Sequence, residues 1–246
     1  MVQLLEGERI DQFYKDDIKI IQNSKVFSYS VDSVLLATFP NMPKKGLIVD
    51  MCAGNGAVGL FASKKTKAEI VQIELQPLLA DMAKRSIELN GLENQISMHN
   101  IDLKDAKEVL SHSSVDLLMV NPPYFKTNET SKKNPNPYLA IARHEITANL
   151  DDIVKMSSFL LKTNGRLAMV HRPERLLDIL ETFKKYKIAP KKIRFVYPKL
   201  GREANTVLIE GIKQGSMDGL KILTPLYVHK EDGSYSQELE EIYYGR

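Results

Sequence analysis

From residue 46 to residue 212, short apolar runs alternate with longer segments whose apolar positions recur every three or four residues. The first kind fits buried strands and the second amphipathic helices. The pattern predicts strands over 46–51, 68–75, 96–102, 115–120, 166–171, 191–196 and 206–212. It predicts helices over 58–64, 77–90, 105–110, 150–161 and 173–186. Pro77 suits a first helical turn, while Gly91 and Asn164-Gly165 suit helix ends. Such alternation implies a mostly parallel sheet with helices on both faces. The last two strands are joined by a loop too short for a helical crossover, so they are expected to be antiparallel.

Before this core, residues 1–29 read as a small hairpin or cap, and 30–39 as a helix with Ser30 or Asp32 near its cap and Pro40 as its stop. Residues 30–246 are expected to form a single domain. Regularity fails over 125–148. The stretch 126–137 is polar and carries Asn and Pro, as a loop contacting substrate would. An extension over 213–246 includes an apolar run at 220–228 that reads as an added strand or clasp.

The composition, 43% hydrophobic and 26% charged over 246 residues, is that of a soluble globular chain. No apolar run is long enough to span a membrane, and the start lacks the pattern of a signal peptide, so the expected compartment is the cytoplasm, with a monomer as default. The single cysteine, Cys52, excludes an internal disulfide, and no Cys/His cluster has zinc spacing, so no metal is expected. Net charge is only +3, yet residues 162–202 hold 12 Lys/Arg against three acids. That block fits either a polyanionic partner or solvated helix faces, and charge alone leaves both open.

Chemistry concentrates at predicted strand ends, where open α/β sheets bind ligands. Gly54, Gly56 and Gly59 form a Gly-x-Gly-x-x-Gly turn between the first core strand and its helix. Glu74, 20 residues after Gly54, is placed to accept ribose hydroxyls. The glycines alone would also suit a dinucleotide. Asp50 beside the turn would oppose a pyrophosphate but suits a cationic ligand, and Asp102 is placed to meet an adenine amino group. The alternative for both acids is a capping role. After the strand 115–120 stands Asn121-Pro122-Pro123-Tyr124. Two prolines cannot continue a central strand, so the chain leaves the sheet there. The Asn121 oxygen and the Pro122 carbonyl can accept both hydrogens of a planar amino group while Tyr124 stacks on its ring.

Together these motifs resemble the class I S-adenosylmethionine-dependent methyltransferases, and Asn-Pro-Pro-Tyr resembles their amino-methylating branch. Residues 26–37 and 142–145 resemble the bacterial tRNA1(Val) adenine N6-methyltransferases, which modify the adenine just 3′ of the anticodon. The resemblance implies a Rossmann-like, seven-stranded, mostly parallel α/β sheet with its last strand antiparallel. It implies S-adenosylmethionine bound by Asp50, Gly54, Asn55, Gly56, Glu74, Asp102 and Asn121. It implies catalysis by Asn121, Pro122 and Tyr124 on an RNA partner, a tRNA. Lys126, Lys132, Lys133, Arg143 and His144 are candidate RNA contacts, with His144 alternatively satisfying a buried carboxylate. The rival readings are a glutamine N5-methyltransferase of release factors and a ribosomal RNA guanine N2-methyltransferase. The first usually carries a longer helical N-terminal domain. The second tends to have Phe in place of Tyr124.

Overall fold

Alternate side chains along the central strands enter two separate cores. Ile48, Ile70, Leu117, Met119, Ala168 and Val170 point to one face, and Val49, Val71, Ile73, Leu118, Leu167 and Met169 to the other. Period-two alternation with both faces apolar is what a sheet covered on both sides requires. In the computed structural model, which describes residues 2–13, 17–23, 29–124 and 148–244, those strands are β3 (Leu47–Met51), β4 (Glu69–Glu74), β6 (Val115–Val120) and β7 (Leu161–His171). With β5 (Ile96–Asn100), β8 (Ile188–Lys199) and β9 (Thr206–Lys213) they run in the spatial order β8-β9-β7-β6-β3-β4-β5. All neighbours from β7 to β5 are parallel, whereas β9 is antiparallel to both β7 and β8.

One face is covered by α1 (Val31–Thr38), α2 (Ala57–Ser63) and α3 (Pro77–Leu89), the other by α4 (Leu150–Leu160) and α5 (Leu176–Lys185). Each fully buried Leu or Ile on these faces contributes about 1.5–3 kcal/mol. The seven expected strands are present, and the sheet gains two more. β10 (Lys221–Ile222) and β11 (Leu226–His229) both pair with β8 in parallel, and α6 (Gln237–Tyr244) follows. The extension is pinned to β8 by a bidentate pair from Arg194 to Glu238 at 2.6 and 2.8 Å.

Several boundaries differ from the expectation, among them one near the sheet's ligand-binding edge and one at a helix end. The third core strand stops at Asn100, and Asp102 instead caps a 3-10 turn (Leu103–Glu108) by accepting from the Lys104 N–H at 2.9 Å. The helix 105–110 is therefore that 3-10 turn. Asn164-Gly165 does not end α4; the chain extends at Leu161, and both residues lie within β7.

The hairpin β1 (Glu8–Phe13) with β2 (Ile18–Asn23) docks on α3. Ile21 packs with Leu79 and Met82, the Ile21 N–H donates to Ser86 Oγ at 3.0 Å, and Asn90 bridges both backbone groups of Lys19. Arg85 clamps Glu8 through two bonds of 2.6 Å, which holds the Glu8 carboxyl below its usual range. Among the described residues no helix is long and apolar enough to cross a membrane.

Candidate functional site

The glycine turn is shaped by what lies beneath it. Asp50 and Gln72 are register partners on β3 and β4, and both side chains point to the α2 face. Asp50 Oδ2 accepts from the Gly59 N–H at 3.0 Å and from Gln72 Nε2 at 3.1 Å. Gln72 Nε2 also donates to the Gly56 carbonyl at 2.9 Å. A Cβ on Gly59 would sit 2.2 Å from Gln72 Nε2, so only glycine admits this floor. Gly56, at φ +85°, would also place a Cβ 2.9 Å from the same amide. Two glycines of the motif thus face the protein's own Gln72 rather than a ligand. Asp50 is fully buried, and burial pushes its carboxyl up to about 7.

Above this floor opens a cavity lined by Cys52, Gly54, Asn55, Glu74, Gln76, Asp102, Ser33 and Asn121, with apolar walls from Ile73, Leu75, Ile101 and Leu103. Glu74 is held by backbone: its Oε2 accepts from Gly54 N and its Oε1 from Gln76 N, each at 2.8 Å. Each carboxylate oxygen keeps lone-pair capacity for a ligand hydroxyl. Burial raises its carboxyl above the usual range. Asn55 donates through Nδ2 to the Ile21 carbonyl of the hairpin at 3.1 Å, which leaves its buried Oδ1 without a partner among the described residues. Polar side chains here are mostly acceptors awaiting donors, and apolar walls stand ready for a ring. That set fits a donor-rich, cationic nucleoside such as S-adenosylmethionine. The Cys52 thiol is pushed far up by burial and by Glu74, so it stays protonated and is no nucleophile.

At the rim, β6 ends and the chain turns. Asn121 and Pro123 line the cavity, while Pro122 is buried. Tyr124 swings its hydroxyl back, 2.6 Å from Asn121 Oδ1 and 2.9 Å from Asp32 Oδ2. Asn121 Nδ2 donates to Ser33 Oγ at 3.4 Å, and Thr206 Oγ1 donates to Asp32 Oδ1 at 3.2 Å. The Arg172 guanidinium lies 5.0 Å from the Tyr124 ring centre, and the His171 ring 5.4 Å away. Arg172 also donates to the Asn205 carbonyl at 2.7 Å. One aromatic face is therefore engaged by a cation, which confines any base stacking on Tyr124 to its other side. His171 is buried; its Nδ1 accepts from the Arg172 N–H at 2.8 Å, and burial beside Arg175 and Arg172 pushes the imidazole down to about 3. It is a neutral ring at physiological pH.

Gly54, Asn55, Glu74, Asp102 and Asn121 thus share one cavity, with Tyr124 at its rim. Asp50 and Gly56 do not line it. The direct contact expected of Asp50 is corrected: strand alternation turns its side chain under α2. Tyr29 packs edge-on against Phe61 at 5.3 Å. Lys126, Lys132, Lys133, Arg143 and His144, and the loop expectation for 126–137, lie outside the described residues.

The basic block does not form one patch. Lys162 pairs with Asp116, Lys192 with Glu210, Arg175 with Asp178, Lys185 with Asp151 and Arg194 with Glu238. Lys199, the last residue of β8, and Arg202, on the β8–β9 connection, are exposed at the same sheet edge as Asn121. Sequence reasoning missed Ser33, Gln72, Gln76, His171, Arg172 and Thr206 and gave Asp32 only a cap. One signal was present for Thr206: an antiparallel final strand starts where its parallel neighbours end.

Residues 17–197 match the family model described as the methyltransferase small domain. A tRNA1(Val) (adenine(37)-N6)-methyltransferase from Porphyromonas gingivalis strain W83 is 26% identical over 236 residues, covering 93% of this chain and 91% of the relative. A predicted O-methyltransferase structure from Agrobacterium tumefaciens superposes with a TM-score of 0.70 at 22% identity, covering 87% of this chain and 96% of that one. A geranyl diphosphate C-methyltransferase from Streptomyces coelicolor, solved with S-adenosyl-L-homocysteine, gives 0.56 at 12% identity, with 74% and 79% covered. At these identities the two structures establish likeness of fold.

Proposed function

We propose that this chain, which belongs to the methyltransferase small domain family, transfers a methyl group from S-adenosylmethionine to the N6 amine of an adenine in tRNA. The full-length relative's name gives that activity at adenine 37 of tRNA1(Val), and we assign the same target here. The observation that carries the reading is that Asn121 lines the same cavity as Glu74 and Asp102.

S-adenosylmethionine supplies an electrophilic methyl on a sulfonium. The rest falls to the protein. Glu74 accepts ribose hydroxyls, Asp102 and the apolar walls receive the adenine ring, and the floor of Asp50 and Gln72 keeps the glycine turn in shape. An exocyclic amine is a poor nucleophile because its lone pair is delocalised into the ring. The Asn121 oxygen and the Pro122 carbonyl accept its two hydrogens, which favours a pyramidal nitrogen and stabilises the charge developing there. Placement at the cavity rim supplies much of the rate. No base is needed before attack, since the amine becomes acidic only once methylated. His171, already accepting through Nδ1 and held neutral, does not serve as one. The target adenine must leave its stack to reach this depth. Residues 30–246 act as one catalytic unit with the hairpin as its cap, and Lys199 and Arg202 meet RNA phosphates at the rim. The cytoplasm, where tRNA matures, is the proposed compartment.

The test is methyl transfer from labelled cofactor to tRNA, ribosomal RNA and release factor, with the product identified. N6-methyladenosine in the tRNA anticodon loop is expected. Methylglutamine or N2-methylguanosine as the sole product would overturn the reading.

A further inference from the structure

We propose that Asp32 is a positioning residue for transfer: its carboxylate accepts the Tyr124 hydroxyl hydrogen bond and so frees the Asn121 oxygen for the substrate amine. This rests on the function proposed above and deepens it.

Tyr124 has one hydroxyl proton and two acceptors in reach, Asn121 Oδ1 at 2.6 Å and Asp32 Oδ2 at 2.9 Å. The amide orientation is set on its other side by Ser33 Oγ, so the Asn121 oxygen faces the phenol. That oxygen is the atom the amine must use. An oxygen already accepting a short hydrogen bond is a poorer acceptor for a second donor. A phenol with no alternative would therefore compete with the substrate, or lose its bond when the amine arrives. Asp32 supplies the alternative. Hydrogen bonds to an ionised acceptor are stronger than those to a neutral one, so the hydroxyl keeps its proton and turns its hydrogen bond to Asp32 once the amine engages Asn121.

The carboxylate is prepared for this exchange. It sits in the first turn of α1, where the helix dipole favours negative charge, and its second oxygen accepts from Thr206 Oγ1 at 3.2 Å. The ring it holds is braced by Arg172 and His171. The hydroxyl stays protonated, because burial and the Asp32 charge push its ionisation up. Asp32 also places negative charge at the Tyr124 hydroxyl, next to the Asn121 oxygen that receives the amine, so its effect belongs in kcat rather than in binding.

The experiment is a double-mutant cycle of wild type, Asp32→Asn, Tyr124→Phe and the pair, reading kcat, KM for tRNA and the cofactor Kd by calorimetry. Asp32→Asn is expected to lower kcat by roughly 10- to 100-fold, with both binding constants held within about 3-fold. On the Tyr124→Phe background the same change is expected to cost less than about 3-fold, because the hydroxyl it acts through is gone. Equal losses on both backgrounds, or no loss in the single variant, overturn the proposal. Should Asp32→Asn fail to fold, Thr206→Val, which releases the other carboxylate oxygen, takes its place in the cycle under the same criteria. The cycle is read on whichever acceptor the wild type methylates. A wild type that leaves tRNA adenine unmodified thus rejects the assigned function, while the cycle still decides the role of Asp32.

Discussion

The two halves of the cavity are built by different means. The cofactor half is made of backbone: a glycine turn, two N–H groups on Glu74 and a capped 3-10 turn at Asp102, all from three successive strand–turn units. The acceptor half is made of side chains brought from far apart. Tyr124 meets Asp32 across 92 residues of chain, and Asp32 meets Thr206 across 174. A backbone site tolerates change in the side chains around it but not in the glycines that shape it. A side-chain network should fail one hydroxyl or amide at a time, with binding left intact.

The sharpest test of that contrast is Asn121→Ala. It should reduce kcat by about 10²–10³-fold while cofactor affinity, measured by calorimetry, stays within about 3-fold. A parallel loss of affinity would mean that the halves are not separable.

Next in size are the two buried titrating groups, one in each half. Asp50 ordinarily ionises at 3.8 and is pushed up to about 7, so the folded state holds its proton longer than the unfolded chain does, and stability falls as pH rises through that window. His171 ordinarily ionises at 6.5 and is pushed down to about 3, so the unfolded chain binds the proton first, and stability falls as pH drops through its window. Between pH 3.8 and 6.5 the two oppose each other. Asp50→Asn should unmask the histidine, giving urea midpoints that rise with pH across this range by up to a few kcal/mol in stability. His171→Gln should give the opposite slope. Parallel curves for wild type and Asp50→Asn would show that Asp50 does not titrate there.

Gly59→Ala should destabilise the protein by about 1–3 kcal/mol in urea unfolding, because the new methyl displaces a Gln72 already fixed by Asp50 and Gly56. It should weaken the cofactor more than it slows transfer from saturated enzyme. The smallest effect expected is at the rim. Lys199→Glu with Arg202→Glu should raise KM for tRNA by about 10-fold, with a shallower salt dependence and unchanged cofactor Kd. An unchanged salt slope would remove the β8–β9 connection from the RNA footprint.

What could be read from the chain follows the same division. The succession of strands and helices, the antiparallel final strand, the glycine turn, Glu74 and Asn121 were legible because each is a local pattern. Asp50 was legible as important but not in its role, since motif spacing does not say which side of a strand a residue faces relative to its helix. Gln72 was invisible: nothing marks a glutamine in an apolar strand as the floor of a turn until the register places it opposite Asp50. Asp32 was visible only as a helix cap, because its partners Tyr124 and Thr206 come from distant segments. Asp102 moved from strand end to cap because the apolar pattern of β5 gives way at Asn100, whose amide donates to the Glu74 and Leu75 carbonyls.

The small parallel pairings of β10 and β11 carry a consequence for self-association. Without them β8, a strand of 12 residues, would present a long row of unpaired peptide groups, the kind of margin onto which a neighbouring molecule adds its own strand. Chains shortened after Lys213 should therefore precipitate or form fibrils more readily than the whole protein, even where the cavity itself is untouched.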